Sequence, residues 1–297
     1  MERRYLAIVN KELPPGDLEK LERIAEVVRV PKKKSIVELL EECCGNGYHG
    51  IVSVGGDGTA GKVMWYAAGK DIPVVAIPYG TGNDIPSSAV ENFDKEEYIK
   101  CCFDALENGG FTEQKYDVIE FEADGRKYRS VVGLHLGLFA NACKTERLKK
   151  LFGSGAYIVR GVADIISYRP KPITIKVNGE QVYRGRIWAG QVANTPTTGG
   201  GRVYMDGVDP RDGELTLVYL PVENARRREL PGLISDLTDM VNLEQVEVVR
   251  GVKEFEIDGK VTLGYCGEYL GPVEHVSGRV IPRAAKLCVP YNIYNTL

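Results

Sequence analysis

Two short glycine-rich stretches hold the residue types best suited to chemistry, Gly55-Gly56-Asp57-Gly58-Thr59 and Gly80-Thr81-Gly82-Asn83-Asp84. In the first, an apolar run hands over to a helical pattern. Glycines at such a junction turn the backbone sharply, aim several N–H groups at one point and let a ligand approach closely. The following helix adds the positive end of its dipole, which favours an anion such as phosphate. Asp57 would repel a bare phosphate, and a divalent cation between the two removes the conflict. The pattern therefore points to Mg²⁺ with a polyphosphate. A tight strand-to-helix turn with an N-capping aspartate is the alternative reading of the same residues. In the second loop, Thr81 and Asn83 can hydrogen-bond a nucleotide and Asp84 can hold a metal-bound water. Neither a Walker A loop nor a G-x-G-x-x-G fingerprint is present.

Parallel strands must position these loops. Tyr5–Val9, Val27–Val30, Gly50–Val54 and Pro73–Pro78 read as short apolar strands, and helical patterns separate them. One follows Asp17, a candidate N-cap; one opens on the capping-box spelling at Ser35; one covers Ala60–Ala68. Strand, loop, helix and strand in repetition predict a parallel sheet flanked by helices. Both glycine loops then lie at carboxyl ends of strands one βαβ unit apart, along the sheet edge where ligands bind. After Gly109-Gly110 the pattern changes to short strands, with turns at Asp124-Gly125, Asn178-Gly179 and Asp258-Gly259. Helical stretches interrupt only near Tyr157–Ser167 and Asn224–Val241. The expected architecture is an α/β nucleotide-binding domain with a parallel sheet over 1–115 and an antiparallel β-sandwich substrate domain over 116–297. The C-terminal tail is free to return to the first domain. The active site is expected in the cleft between the two.

Composition narrows the function classes. The 297 residues carry 38 Lys plus Arg against 41 Asp plus Glu, a balance that disfavours nucleic acid as a partner. Apolar stretches are too short and too broken by glycine for a bilayer span, so no transmembrane segment is expected. Tyr5 opens a strand almost at once, leaving no room for a signal peptide, and seven cysteines in no ligand spacing fit a reducing cytoplasm. His49, His135 and His275 share no ligand spacing, which argues against a zinc hydrolase. Arg226-Arg227-Arg228 and Lys32-Lys33-Lys34 read as solvated faces, or as contacts to anionic lipid headgroups. Asp206, Asp209, Asp212 and Glu214 form an acidic turn that could bind a hard cation or simply be solvated.

The two loops in this order, Gly55–Thr59 and then Ile77-Pro78-Tyr79-Gly80-Thr81-Gly82-Asn83-Asp84, resemble the catalytic domain of the diacylglycerol kinase, sphingosine kinase and ceramide kinase family. Further likenesses are Asp117 in Lys115–Val118, the Leu151–Tyr157 helix start, Asn194–Gly201 with Asp209–Glu214, and Gly267-Glu268 ahead of the last strand. The resemblance covers most of the chain. It implies transfer of the ATP γ-phosphoryl group to a lipid hydroxyl at a membrane surface, with ATP and Mg²⁺ as cofactors. It makes Asp84 and Asp117 members of a metal–carboxylate–water network and Glu268 the acceptor of the hydroxyl proton. It also makes Asp212 the carboxylate of a structural Mg²⁺ site to which Asp209 and Glu214 contribute mainly backbone. Without the resemblance, Asp117 reads as a strand-end cap and Glu268 as a solvated turn residue.

Four departures from the family pattern stand out. Asn10 is kept, but Lys11–Gly16 replaces the remainder of the family's first loop. Gly61-Lys62 stands where the family has Asn-Glu, so Lys62 either contacts a phosphate or marks a nucleotide site that has drifted. Cys266 replaces the aspartate of an Asp-Gly-Glu motif, and Val132 replaces an asparagine. The alternatives are an NAD kinase-like enzyme and a non-catalytic nucleotide or lipid sensor. Exposed edge strands of the sandwich leave room for a homodimer.

Overall fold

Apolar runs without polar alternation become central parallel strands, because both of their faces must be covered. That is the condition of β3 (Gly50–Gly55), buried at every position, and of β4 (Pro73–Pro78), buried at all but Pro73. The computed structural model describes residues 5–32, 34–44, 47–143, 165–201, 203–235 and 240–294. The chain forms two compact units, one running up to Val118 and resuming at Arg283, the other Ile119–Pro282.

In the first unit, β1 (Tyr5–Val9) pairs in parallel with β2 (Ala25–Arg29) on one side and β3 on the other, and β3 pairs with β4. The strand order therefore reverses at β1, the place where open α/β sheets bind ligands. Its helices are α1 (Pro15–Ile24), α2 (Ile36–Cys43), α3 (Asp57–Ala67), α4 (Asp84–Ser87) and α5 (Lys95–Asn108). The capping box forms at α2: the Ser35 hydroxyl accepts from the Val37 N–H, and Glu38 accepts from the Ser35 N–H. Asp17 is not the N-cap of α1. Pro14 precedes that helix with Pro15 at its first position, and Asp17 lies in the first turn. A proline there loses nothing, because the first N–H groups of a helix have no intrahelical partner. The end of the chain's last strand also belongs to this sheet. Lys286, Leu287 and Cys288 pair in parallel with Pro73, Val74 and Val75, and the Lys286 ammonium reaches Asp71 and Glu113 at 2.6 and 3.2 Å.

The second unit is an antiparallel β-sandwich. Its strands are the end of β5 (Phe111–Ala123), β6 (Arg126–Ser130), β7 (Gly133–Gly137), β8 (Ile173–Val177), β9 (Glu180–Gly185) and β10 (Ile187–Ala193), followed by the short pair β11 (Thr197–Thr198) and β12 (Val203–Tyr204). Then come β13 (Leu215–Pro221), β14 (Glu247–Val252), β15 (Glu254–Tyr265) and the start of β16 (Glu268–Pro290). The main order is β14-β13-β10-β7-β15-β16, with β8 and β9 branching from β15. Asp124-Gly125 and Asn178-Gly179 have positive φ at both residues, as two-residue hairpins of right-twisted strands require.

Three expectations are corrected. Asp258-Gly259 does not reverse the chain: β15 runs through it with a bulge between Asp258 and Val261, and the reversal comes at Cys266-Gly267. The helix expected from Asn224 does not begin there: among the described residues of 224–241, the helical ones are α6 (Leu230–Ser235) and a 3-10 turn, Met240–Asn242. Pro231 stands near the start of α6 because it cannot donate to a preceding turn. Arg227 is not a solvated face. Its guanidinium donates to the carbonyls of Ile165, Ile166 and Tyr168 and lies over the Trp188 ring at 4.8 Å. The Leu151–Tyr157 segment and most of the helix expected around it lie outside the described residues.

Candidate active site

The register of β3 and β4 sets Gly55 opposite Pro78, so both glycine loops leave the same edge side by side. They touch backbone to backbone. A Cβ added at Gly80 would stand 2.3 Å from the Gly56 Cα, and one added at Gly56 would stand 3.0 Å from the Gly80 Cα. No side chain fits there, so the two glycines are a requirement of close approach. The Tyr79 N–H donates to the Gly55 carbonyl at 2.8 Å and locks the loops together.

The first loop enters α3 directly. The helix begins at Asp57, earlier than the Ala60 expected, because the Thr59 and Ala60 N–H groups already bond the Gly56 carbonyl. The Asn10 side chain, at the end of β1, donates to the Thr59 hydroxyl at 3.1 Å and joins the two strands flanking the reversal. Lys62 lies half-buried on α3, one turn into the helix.

Asp57 reaches across to the second loop, where one carboxylate oxygen accepts the Ile85 N–H at 3.0 Å. Burial, together with the neighbouring Asp84 carboxyl, pushes the Asp57 pKa up to about 6 against the pull of the Ile85, Asp84 and Asn83 backbone hydrogen bonds. Asp84 itself is buried. Asn83 sits in left-handed backbone with φ 63° and spends its amide on its own loop. Its oxygen accepts the Gly80 N–H at 3.0 Å, and its nitrogen donates to the Gly80 carbonyl at 3.1 Å. Thr81, at the loop tip, is exposed, and Gly82 beside it is partly so.

Sequence reasoning missed two supports of this loop. The Tyr79 hydroxyl donates to Asp17 at 2.5 Å, and the Lys95 ammonium donates to the Gly80 carbonyl at 3.3 Å. No local signal marks either, since the Tyr79 and Asp17 partners are 62 residues apart. Asp117 on β5 is fully buried, and its carboxylate accepts the Arg283 N–H at 2.7 Å. It holds the returning strand at a residue whose φ is 53°.

In the second unit, Cys266 (φ 44°) and Gly267 (φ 74°) are the two central residues of the turn from β15 to β16, and Glu268 follows. Asp-Gly is the common filling of such a turn. Cys266 keeps the backbone shape while removing a carboxylate, and its sulfur lies 3.1 Å from the Ser130 hydroxyl. Glu268 is half-buried and accepts from the Tyr265 hydroxyl at 3.4 Å. In the acidic turn, Arg211 engages the Asp209 carboxylate at 2.7 Å, whereas Asp212 accepts the Glu214 N–H at 2.9 Å. Burial, then the Asp209 and Glu214 charges, push the Asp212 pKa upward. The carboxylates of Asp209, Asp212 and Glu214 do not gather into one ligand cluster among the described residues.

Residues 14–110 match the diacylglycerol kinase catalytic domain, and residues 136–289 match the YegS C-terminal NAD kinase beta sandwich-like domain. The chain is 28% identical over 256 residues to "Probable lipid kinase YegS-like" of Stenotrophomonas maltophilia, covering 80% of each. It is 26% identical over 182 residues to "Diacylglycerol kinase" of Mycobacterium tuberculosis, covering 60% of this chain and 57% of that one. A crystal structure of a diacylglycerol kinase from Bacillus anthracis shares the fold, with a TM-score of 0.65 at 16% identity and 97% coverage of both chains.

Proposed function

The chain belongs to the family that joins a diacylglycerol kinase catalytic domain to a YegS-type, NAD kinase beta sandwich-like domain, and on that premise we propose that it is an ATP-dependent lipid kinase. Its acceptor is diacylglycerol or a similar lipid hydroxyl, which it meets as a cytoplasmic protein at the membrane surface. Among the described residues, no helix is long and apolar enough to cross a membrane. The observation that supports the reading is the backbone contact between Gly56 and Gly80, which sets the two loops against each other with no room for a side chain at the point of contact.

Phosphoryl transfer asks a protein mainly for positioning and charge neutralisation. In this reading Asn10, the Gly55–Thr59 loop and the Gly80–Asn83 loop hold the nucleotide, with Lys62 against a phosphate. Asp57 and Asp84 fit Mg²⁺, since two crowded carboxyls are the oxygen donors a hard cation prefers and their mutual repulsion would be relieved. When bound, the ion neutralises charge on the polyphosphate. Asp117 supports the same network while holding the Arg283 backbone. Asp212 would supply the carboxylate of a second, structural Mg²⁺ site, to which Asp209 and Glu214 would contribute mainly backbone. Glu268 accepts the lipid hydroxyl proton as the new O–P bond forms and the bond to the β-phosphate oxygen breaks.

Transfer of radiolabel from γ-labelled ATP into a panel of diacylglycerol, sphingoid base, ceramide and phosphatidylglycerol, with NAD as a further acceptor, tests the reading. Label in a lipid that is lost in Asp57→Ala is the expected result. Label in NAD alone would establish the NAD kinase alternative, and ATP binding without turnover on any acceptor would establish a sensor. Turnover undiminished in Glu268→Ala would remove that residue as the base.

A further inference from the structure

A cluster of side chains in the second unit has the donor types of a transition-metal centre. Glu256 and Asp258 are two residues apart on β15, so their side chains leave the same face of the sheet. His275 on β16 stands opposite Asp258 in the strand register. One ligand atom from each of the three lies within 4.8 Å of the other two, and Asp258 Oδ1 is 2.8 Å from His275 Nδ1. Donors around one tetrahedral Zn²⁺ stand roughly 3.4 Å apart, so small side-chain rotations would close the set.

The backbone around the cluster is fixed on both strands. The bulge after Asp258 is a device that re-aims side chains next to sites. On the other strand, the Asp124 carboxylate accepts the N–H groups of Glu274 and His275, each at 3.1 Å. The Asp124 N–H in turn donates to the His275 carbonyl at 3.2 Å. A cation already uses the position: the Lys176 ammonium lies 3.0 Å from Glu256 and 3.5 Å from Asp258. Glu256, Lys176 and His275 also line an open groove of about 460 Å³, which gives an ion a way in.

We propose that Glu256, Asp258 and His275 bind a divalent transition metal of the Zn²⁺ type, which displaces the Lys176 ammonium and keeps open coordination positions toward the groove. An imidazole beside two carboxylates suits Zn²⁺ and Co²⁺, whereas Mg²⁺ prefers an all-oxygen octahedron. All three residues belong to the second unit, and the test does not depend on phosphoryl transfer.

Calorimetric titration of the full chain with Zn²⁺, and with Co²⁺ followed in the visible, reads the site. The expected result is one ion per chain and a Co²⁺ spectrum without thiolate charge transfer. His275→Ala should weaken binding roughly tenfold or more. Asp258→Asn, which keeps the shape of the side chain, should weaken it as well, with circular dichroism checking that both variants fold. Lys176→Met should strengthen binding several-fold by freeing both carboxylates. Absence of binding by the wild-type chain, thiolate charge transfer placing the ion on cysteines, or unchanged affinity in both His275→Ala and Asp258→Asn would overturn the proposal.

Discussion

Replacing Asp57 by asparagine should make the first unit more stable while abolishing phosphoryl transfer. Burial and the Asp84 carboxyl raise the Asp57 pKa from 3.8 to about 6. At about 1.4 kcal/mol per pKa unit, the ionised carboxylate costs the native state about 3 kcal/mol at most. A carboxyl with a raised folded pKa contributes stability below its unfolded pKa and loses it as pH rises through the folded value. The gain from Asp57→Asn should therefore be complete by about pH 7.5 and about half as large at pH 5. The asparagine oxygen can still accept the Ile85 N–H, whereas Asp57→Ala strands that donor and should fall below the asparagine variant by about 1–3 kcal/mol. Trp65 lies on α3 in this unit and Trp188 in the other, so urea unfolding followed by Trp65 fluorescence in a Trp188→Phe background isolates the effect. A loss of stability at neutral pH, or a gain of the same size at both pH values, would refute the electrostatic reasoning.

The second unit should respond to acid in the opposite sense. Burial lowers the His135 pKa from 6.5 to about 4, so its contribution is present above 6.5 and is lost as pH falls toward 4, by about 3 kcal/mol at most. His135→Leu should flatten that dependence in urea unfolding read from Trp188, and an unchanged slope would exclude His135 as its source. Gly80→Ala should cost about 1–3 kcal/mol in unfolding free energy and remove ATP binding, because its methyl group meets the Gly56 backbone; wild-type ATP affinity would show that the loops do not touch as described. Cys266→Asp restores the usual Asp-Gly turn filling at a left-handed position and adds a carboxylate, so turnover should rise. A fall in turnover without loss of folding would separate Cys266 from the motif.

Much of the architecture was legible because local rules and global fold agree. β1 and β4 are apolar runs and β3 is broken only by the buried Ser53, a pattern that only a sheet covered on both faces can use. Asn178-Gly179 announces its hairpin because asparagine and glycine tolerate the positive φ values that the turn demands. Where local spelling failed, a longer-range pairing overruled it. Asp258-Gly259 has the letters of a hairpin, yet β15 is paired to β8 up to Asp258 and to β16 both before and after the dipeptide, so the extra residues are absorbed as a bulge. Arg227 is one of three consecutive arginines, but it alone finds three carbonyls and an indole to satisfy it.

Residue types and order along the chain were enough to establish an α/β domain followed by a sandwich, two glycine-rich loops at strand ends, and membership of a kinase family. Period and turn chemistry are local, and the loop motifs recur in a set order. What could not be read from order alone was contact between residues distant in sequence. That Gly56 and Gly80 meet with no room for a methyl group depends on the register of β3 with β4. That Asp57 spends its charge on the Ile85 N–H beside Asp84 follows from the same meeting. Three histidines with no common spacing gave no hint that one of them would face Glu256 and Asp258, because cross-strand neighbours are chosen by pairing and not by spacing.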